Sequence, residues 1–260
     1  MPVLHFRGMR SFPVDIAYLY EVFREQEEYL LEHLRAQPVG SPKQANPQRL
    51  IRAMSDLCKI LREVEANQAG EFAETICPPR EIETLGNFGL QLLNDLSELA
   101  AAAELADCAH ELESLCLPLG VWIARRGMEI QQLAPVVNAL VWHANRTRSP
   151  EDMQVLYGLA TEIVDAVSPH LSEVGTRDLH SWPWHLLLIN RAIVATRTHR
   201  PSLMEPAFTT IVEQLPEDAP RFFAEGMQQM DRVSYPKPVR EVMHRFHAPV
   251  SYTHLTLPTI

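Results

Sequence analysis

The chain of 260 residues lacks most of the features that would assign it quickly to a class. No stretch of about 18 consecutive apolar residues occurs, so the sequence contains no membrane-span candidate. The opening Met1-Pro2-Val3-Leu4-His5-Phe6-Arg7 has no continuous apolar core and no small-residue cleavage site, so it does not read as a secretory signal. Positive charge is in deficit: 23 Lys and Arg against 33 Asp and Glu leave a formal net charge of -10. That balance argues against general nucleic-acid binding, which needs a basic surface to displace counterions. Strict apolar–polar alternation over five or more residues is absent before residue 250, which removes the usual strand signal.

Glycine is also scarce, 10 residues against 20 prolines. The only close glycine pair, Gly86 and Gly89, lies inside a helical period and does not form a phosphate-binding loop. No G-x-S-x-G elbow and no H-E-x-x-H pair appears, so no local motif names a reaction. The reading therefore leans away from an enzyme and calls for no cofactor. Four cysteines, Cys58, Cys77, Cys108 and Cys116, are widely spaced, and two of them fall on apolar helix faces. In a chain of this length they read as reduced thiols of a cytoplasmic protein.

What is present is helical period, almost without interruption, with proline at the edges of the runs where a missing N–H is tolerated. Over 14–36, Ile16, Leu19, Tyr20, Phe23, Leu30, Leu31 and Leu34 share a stripe opposite Arg24, Glu25, Glu28, Glu32 and Arg35. A polar stretch, 37–46, follows with Pro38, Gly40, Ser41 and Pro42, and reads as a linker. Leu50, Met54, Leu57, Leu61 and Val64 then alternate spacings of four and three, as do Ile82, Leu85, Gly89, Leu92, Leu96 and Leu99. The run 104–126 contains Pro118, which is expected to kink or split it, with Gly127 as its stop. Residues 129–146 place Ile130, Leu133, Val137, Leu140 and Val141 on one stripe. Ser149-Pro150-Glu151-Asp152 combines a serine cap, a first-turn proline and two acids on the positive helix end. Another cap-like start is Ser181-Trp182-Pro183-Trp184, and shorter helices follow at about 202–214, 217–232 and 237–247.

The expectation is an all-α protein of about nine or ten antiparallel helices. They form either stacked helical hairpins, as in an α-solenoid, or a compact multi-helix bundle. Residues 1–36 supply an N-terminal segment and first helix, 37–46 the linker, and 47–249 a helical-hairpin domain. Within it, Leu119-Gly120-Val121-Trp122-Ile123-Ala124-Arg125-Arg126-Gly127 resembles the first helix of a tetratricopeptide unit. The physical content of the resemblance is that Gly120 lets a partner helix approach, Ile123 fills its groove and Gly127 ends the helix. The resemblance covers this segment alone: Gln132 stands where the family's second-helix alanine belongs, and no second copy follows at one repeat length.

The final Val250-Ser-Tyr-Thr-His-Leu-Thr-Leu-Pro-Thr-Ile260 resembles the in-frame translation of a transposase adapter from short-read sequencing libraries. The resemblance implies a tail that is not native, a gene from metagenomic or draft assembly, and a chain that originally continued past Pro249.

The densest set of chemistry-bearing side chains is His180, Trp182, Trp184 and His185, with Arg191 two turns on. Two indoles and two imidazoles within six residues have the makings of a ligand or partner contact, or of a helix start anchored in the core. Asp178 is the one carboxylate in reach and the histidines lack the i, i+4 spacing, so no metal site is expected there. Cys108, His110 and Cys116 likewise read as core and surface residues, the two thiols being about 12 Å apart along a helix. Charge is uneven: 81–113 carries eight acids and no Lys or Arg, whereas Arg177, Arg191, Arg197 and Arg200 outnumber Asp178 later. Two functional expectations follow. The first is a non-enzymatic helical scaffold or adaptor whose partner is another protein, with no nucleic acid, no membrane and an open oligomeric state. The second is a small-ligand-binding helical protein or cryptic enzyme with a pocket near 180–185. Sequencing the locus from an independent library should return residues other than Val250–Ile260; recovering them unchanged would refute the adapter reading.

Overall fold

A computed structural model describes residues 12–34, 46–67, 78–172 and 182–253, and all of its regular structure is α-helix. Residues 37–45 of the linker 37–46, Cys77, His180 and the last seven residues of the tail lie outside the described residues. The helices are α1 (Ile16–Leu34), α2 (Pro47–Asn67), α3 (Pro79–Ala102), α4 (Ala106–Ser114), α5 (Cys116–Arg125) and α6 (Leu133–Arg146). They continue as α7 (Pro150–Ala166), the single turn α8 (Pro169–Ser172), α9 (Trp182–Arg197), α10 (Pro201–Gln214), α11 (Ala219–Arg232) and α12 (Lys237–Thr253).

Local chemistry sets the boundaries. Asp15 Oδ1 accepts from the Tyr18 N–H at 2.7 Å, and Asn46 Oδ1 accepts from Gln48 at 3.0 Å, so each caps the helix it precedes. Ser149 Oγ accepts from the Asp152 N–H at 3.1 Å, which makes it the cap its sequence announces. Proline is the first residue of α2, α3, α7, α8 and α10. Gly127, at φ 66, ends α5: its N–H donates to the Ala124 carbonyl at 2.9 Å and the next N–H, from Met128, to Ile123 at 3.3 Å. That paired closure consumes carbonyls the helix would leave bare.

Two boundaries depart from expectation. The run 104–126 breaks at Leu115, not at Pro118. Pro118 is the third residue of α5, where the N–H it lacks is one of the unpaired donors of a helix start. Ile130 does not belong to a helix. It forms an isolated parallel bridge with Val167, its N–H donating to Ala166 at 2.7 Å and its carbonyl accepting from Ser168 at 3.1 Å.

The chain divides into two compact units, the first comprising 13–143 with 162–171 and the second 144–161 with the described residues from Ser172 onward. In the first unit, α1 packs on α2, α4 and α5, while α3 packs on α2, α4 and α5. At its centre α5 is buried from Cys116 to Ile123 with no outward face until its last turn. Close approach depends on glycines that face large side chains. A methyl on Gly86 would sit 2.6 Å from Ile123, one on Gly89 2.9 Å from Leu119 and Leu57, and one on Gly120 2.9 Å from Val136. Gly120 therefore gives room to Val136 of α6 and Gly127 ends α5 as read, whereas Ile123 packs against Gly86 of α3, not against the helix that Gly120 admits.

One polar residue fixes the loop between α5 and α6. Asn87, 7% exposed on α3, donates through Nδ2 to the carbonyls of Glu83 (3.0 Å) and Glu129 (2.9 Å). Its Oδ1 accepts from the N–H groups of Gln131 (2.7 Å) and Gln132 (3.2 Å), so its amide is fully satisfied. Where α2 meets α5, Glu65 accepts from the Trp122 indole N–H at 2.9 Å and pairs with Arg126, whose guanidinium lies 3.8 Å from the centre of the Trp122 ring.

In the second unit α9 packs on α10, α10 on α12 and α11 on α12. Its core holds an aromatic cluster that apolar spacing alone does not announce. Phe208 meets Phe223 at 5.2 Å and Phe246 at 5.4 Å, both edge-on, and Phe223 stacks on Phe246 at 5.8 Å.

Two glycine substitutions should have opposite signs. Gly158 is exposed on α7 with nothing within 4 Å of an added methyl. Gly158→Ala should stabilise by about 0.5–1 kcal/mol through helix propensity. Gly120→Ala should destabilise by about 1–3 kcal/mol, because the added methyl would meet the buried, branched Val136 side chain at 2.9 Å and force it to shift. Urea midpoints of the two variants decide both.

Candidate functional site

Helix α9 brings most of the sequence-predicted site residues into one element and then separates them. Residues two apart on a helix point about 200° apart. Trp182 is 52% exposed and Trp184 is 7% exposed, so the two indoles do not share a wall. His185, half-buried, stands 6.4 Å from Trp182 between ring centres, and its Nδ1 is 3.8 Å from Asp218 Oδ2. His180 lies outside the described residues. Arg191 is buried on the same face as Trp184, two turns further on.

The helix is apolar all round. Its inner face buries Trp184, Leu187, Leu188, Ala192, Val194 and Ala195. The opposite face carries Trp182, Leu186, Ile189 and Ile193 at spacings of four, three and four, with Ile193 41% exposed and the middle pair half-buried. A one-sided stripe would direct α9 unambiguously; a helix apolar on both faces leaves apolar surface in water. Trp182 and Ile193 bound a line of side chains about 16 Å long.

The surroundings of Arg191 are built from neutral oxygens. Its Nε donates to Thr161 Oγ1 at 3.0 Å, its Nη2 to Tyr157 OH at 3.1 Å and its Nη1 to Thr210 Oγ1 at 3.5 Å. The guanidinium lies 5.1 Å from the centre of the Tyr157 ring. The hydroxyls of Thr161 and Thr210 donate their own protons to the Tyr157 and Pro206 carbonyls, both at 2.9 Å. Sequence reasoning singled out Arg191 by proximity to the tryptophans; these hydroxyl partners come from α7 and α10 and carry no local signature.

The arginines of the later segment differ in their surroundings. Arg197 donates to the carbonyls of Ala144 (2.7 Å) and Thr147 (2.6 Å), where it serves the bare end of α6. Burial lowers its pKa below the ordinary guanidinium value. Arg177 lies outside the described residues, which leaves Arg200 as the exposed member. The acids of 81–113, by contrast, are all exposed or half-buried, among them Asp95 and Glu98 bonded to Gln91 and Asn94 one turn before.

A separate cleft of about 480 Å³ opens between α1 and α2, and Glu27, Ile51, Arg52, Ser55, Asp56 and Lys59 are among its lining residues. Its charges are largely matched within it: Lys59 Nζ is 2.9 Å from Asp56, Arg52 is 3.9 Å from the same carboxylate, and Ser55 donates to Glu27 at 3.4 Å. None of the sequence-predicted site residues lines it. In the first unit Ser168 Oγ lies 2.5 Å from Glu129 Oε2 and 2.8 Å from His170 Nδ1. The serine proton goes to the carboxylate, so the hydroxyl ties loop to loop and is not prepared as a nucleophile by the histidine. Among the described residues no three His, Cys, Asp or Glu side chains gather to hold a metal ion.

No protein-family model, curated protein or solved structure matches the chain.

Cys58, Cys108 and Cys116 are free and buried. Burial pushes the first two thiols up to about 12 and raises the third as well. All three therefore stay protonated at pH 8, where an ordinary thiol is partly thiolate. In a Cys77→Ser background, these thiols should react with a disulfide reagent at least about a hundredfold more slowly than in urea. Rapid reaction of the native protein would contradict this burial.

Proposed function

We propose that the chain is a non-enzymatic helical scaffold that docks another protein along the outer stripe of α9. The observation that carries this reading is the exposure of Trp182 and Ile193 at the two ends of an apolar line on a helix whose other face is already committed to the core. Half-exposed tryptophan on a rigid helix is the residue type that dominates protein interfaces, because it offers large area at little entropic cost. The spacing of Trp182, Leu186, Ile189 and Ile193 is that by which a helix enters a partner's apolar groove.

The packing of α1 with α2, α9 with α10 and α11 with α12 supports a construction from sequential helical hairpins, the kind of frame on which such faces are displayed. Among the described residues no helix is long and apolar enough to cross a membrane. With three buried, protonated thiols, this favours a cytoplasmic setting.

The test compares the chain truncated before residue 250 with its Trp182→Ala and Ile193→Glu variants. Each should keep its melting temperature to within about 2 °C, since neither side chain is buried. A protein retained from a cell extract by the wild type should be lost by about tenfold or more from both variants. Equal retention by wild type and variants, or turnover of a metabolite without any retained protein, would overturn the proposal.

A further inference from the structure

A guanidinium removed from water needs a counter-charge or a full set of acceptors, and among the described residues Arg191 finds neither. It is 8% exposed, yet its three hydrogen-bond partners are all uncharged hydroxyls. Among the described residues no carboxylate lies within ion-pair distance of it. Glu205 on α10 is committed to Arg245 of α12 at 2.5 Å, and Asp218 faces His185. Arg126 shows the ordinary solution: its side chain is 9% exposed and it is matched by Glu65. A buried, unmatched charge is among the costlier features a fold can carry.

The donors left over have a definite arrangement. Of five guanidinium protons, three are taken, which leaves one N–H on Nη1 and one on Nη2. Thr161 and Thr210 contribute only as acceptors, since their protons are already given to backbone carbonyls. The Tyr157 hydroxyl accepts from Nη2 at 3.1 Å, and among the described residues its own proton meets no acceptor. Two N–H groups of one planar fork and an adjacent phenol O–H make up a donor set suited to an anionic oxygen pair. Thr161 and Thr210 are half-buried whereas Tyr157 is buried, so the threonine side of the guanidinium is the less enclosed one. Two turns earlier on the same face, the Trp184 indole N–H is buried and has no acceptor among the described residues. This face of α9 therefore holds donors in excess of the acceptors around it.

We infer that Arg191, with Tyr157, forms a binding site for a small oxyanion, the carboxylate or phosphoryl group of a ligand, between α7, α9 and α10. The site lies on the face of α9 opposite the Trp182–Ile193 stripe, so the inference stands independently of the docking proposal. The oxyanion supplies the missing counter-charge and accepts from Nη1, Nη2 and the Tyr157 hydroxyl.

Thermal unfolding of the full chain at pH 7 in sodium phosphate, sodium acetate and sodium chloride, matched in ionic strength, tests the site. Phosphate or acetate should raise the melting temperature saturably by roughly 3–6 °C over chloride, and which of them acts tells phosphoryl from carboxylate. Arg191→Met, close in length and uncharged, should abolish the oxyanion response while melting in chloride no lower than the wild type. Tyr157→Phe keeps the charge but removes both the phenol donor and the oxygen that holds Nη2 in place, and should shift the half-saturating oxyanion concentration upward by about tenfold. Should Arg191→Met fail to fold, the Tyr157→Phe titration decides alone. Identical melting of the wild type in all three salts would overturn the inference, as would an undiminished response in Tyr157→Phe.

Discussion

The buried helix α5 is the constraint on which the first unit depends. From Cys116 to Ile123 it has no outward face, so every neighbour must come close enough to exclude water from a cylinder only ten residues long. Glycine makes that approach feasible on two sides. Gly86 and Gly89 let α3 accept Ile123 and Leu119, and Gly120 lets the Val136 side chain sit against the α5 backbone. The helix can be so enclosed because its polar ends are closed internally. The Gly127 turn satisfies its last carbonyls, and the loop beyond is tied to α3 by three hydrogen bonds of Asn87. Apolar enclosure and polar satisfaction are therefore coupled: a short all-buried helix would otherwise leave backbone groups stranded away from water.

Helix α9 presents the opposite situation in the second unit. It too is apolar on both faces, but only one face is enclosed. The surplus is an exposed stripe on one side and, on the other, buried donors that exceed their acceptors. Both are departures from what stability alone favours: a polar outer face and an apolar inner one would cost the helix nothing. Local departures of this kind concentrate where a protein meets something else. Two such departures on opposite faces of one helix make α9 the element where function is most economically sought.

The basic segment around α9 illustrates why composition misleads about surfaces. Arg191, Arg197 and Arg200 lie within ten residues, yet one is sunk among hydroxyls, one closes the end of α6 and one meets solvent. Arginine is long and forked, and it reaches backbone carbonyls or hydroxyls on other helices that no sequence window contains. The acids of 81–113 remain at or near the surface, because a carboxylate on a short stem has fewer ways to be matched once buried.

What the sequence alone determined was the class and the punctuation. Proline starts, the Ser149 cap and the Gly127 stop are settled by hydrogen bonds within a few residues, so they are legible locally, while the Asp15 and Asn46 caps emerged only with the structure. The helical stripes of α2 and α3 were legible for the same reason, since Met54, Leu57, Leu61, Leu92 and Leu96 are all buried. Tertiary structure decided what periodicity could not. Ile130 left its apparent helix because Ala166 and Ser168 offered it a bridge, and the break before α5 fell at Leu115 because a first-turn proline suits a helix start. Which face of α9 turned inward, and with it the burial of Arg191 beside Tyr157, Thr161 and Thr210, was likewise a tertiary decision. A helix apolar all round carries no preferred side until its neighbours choose one.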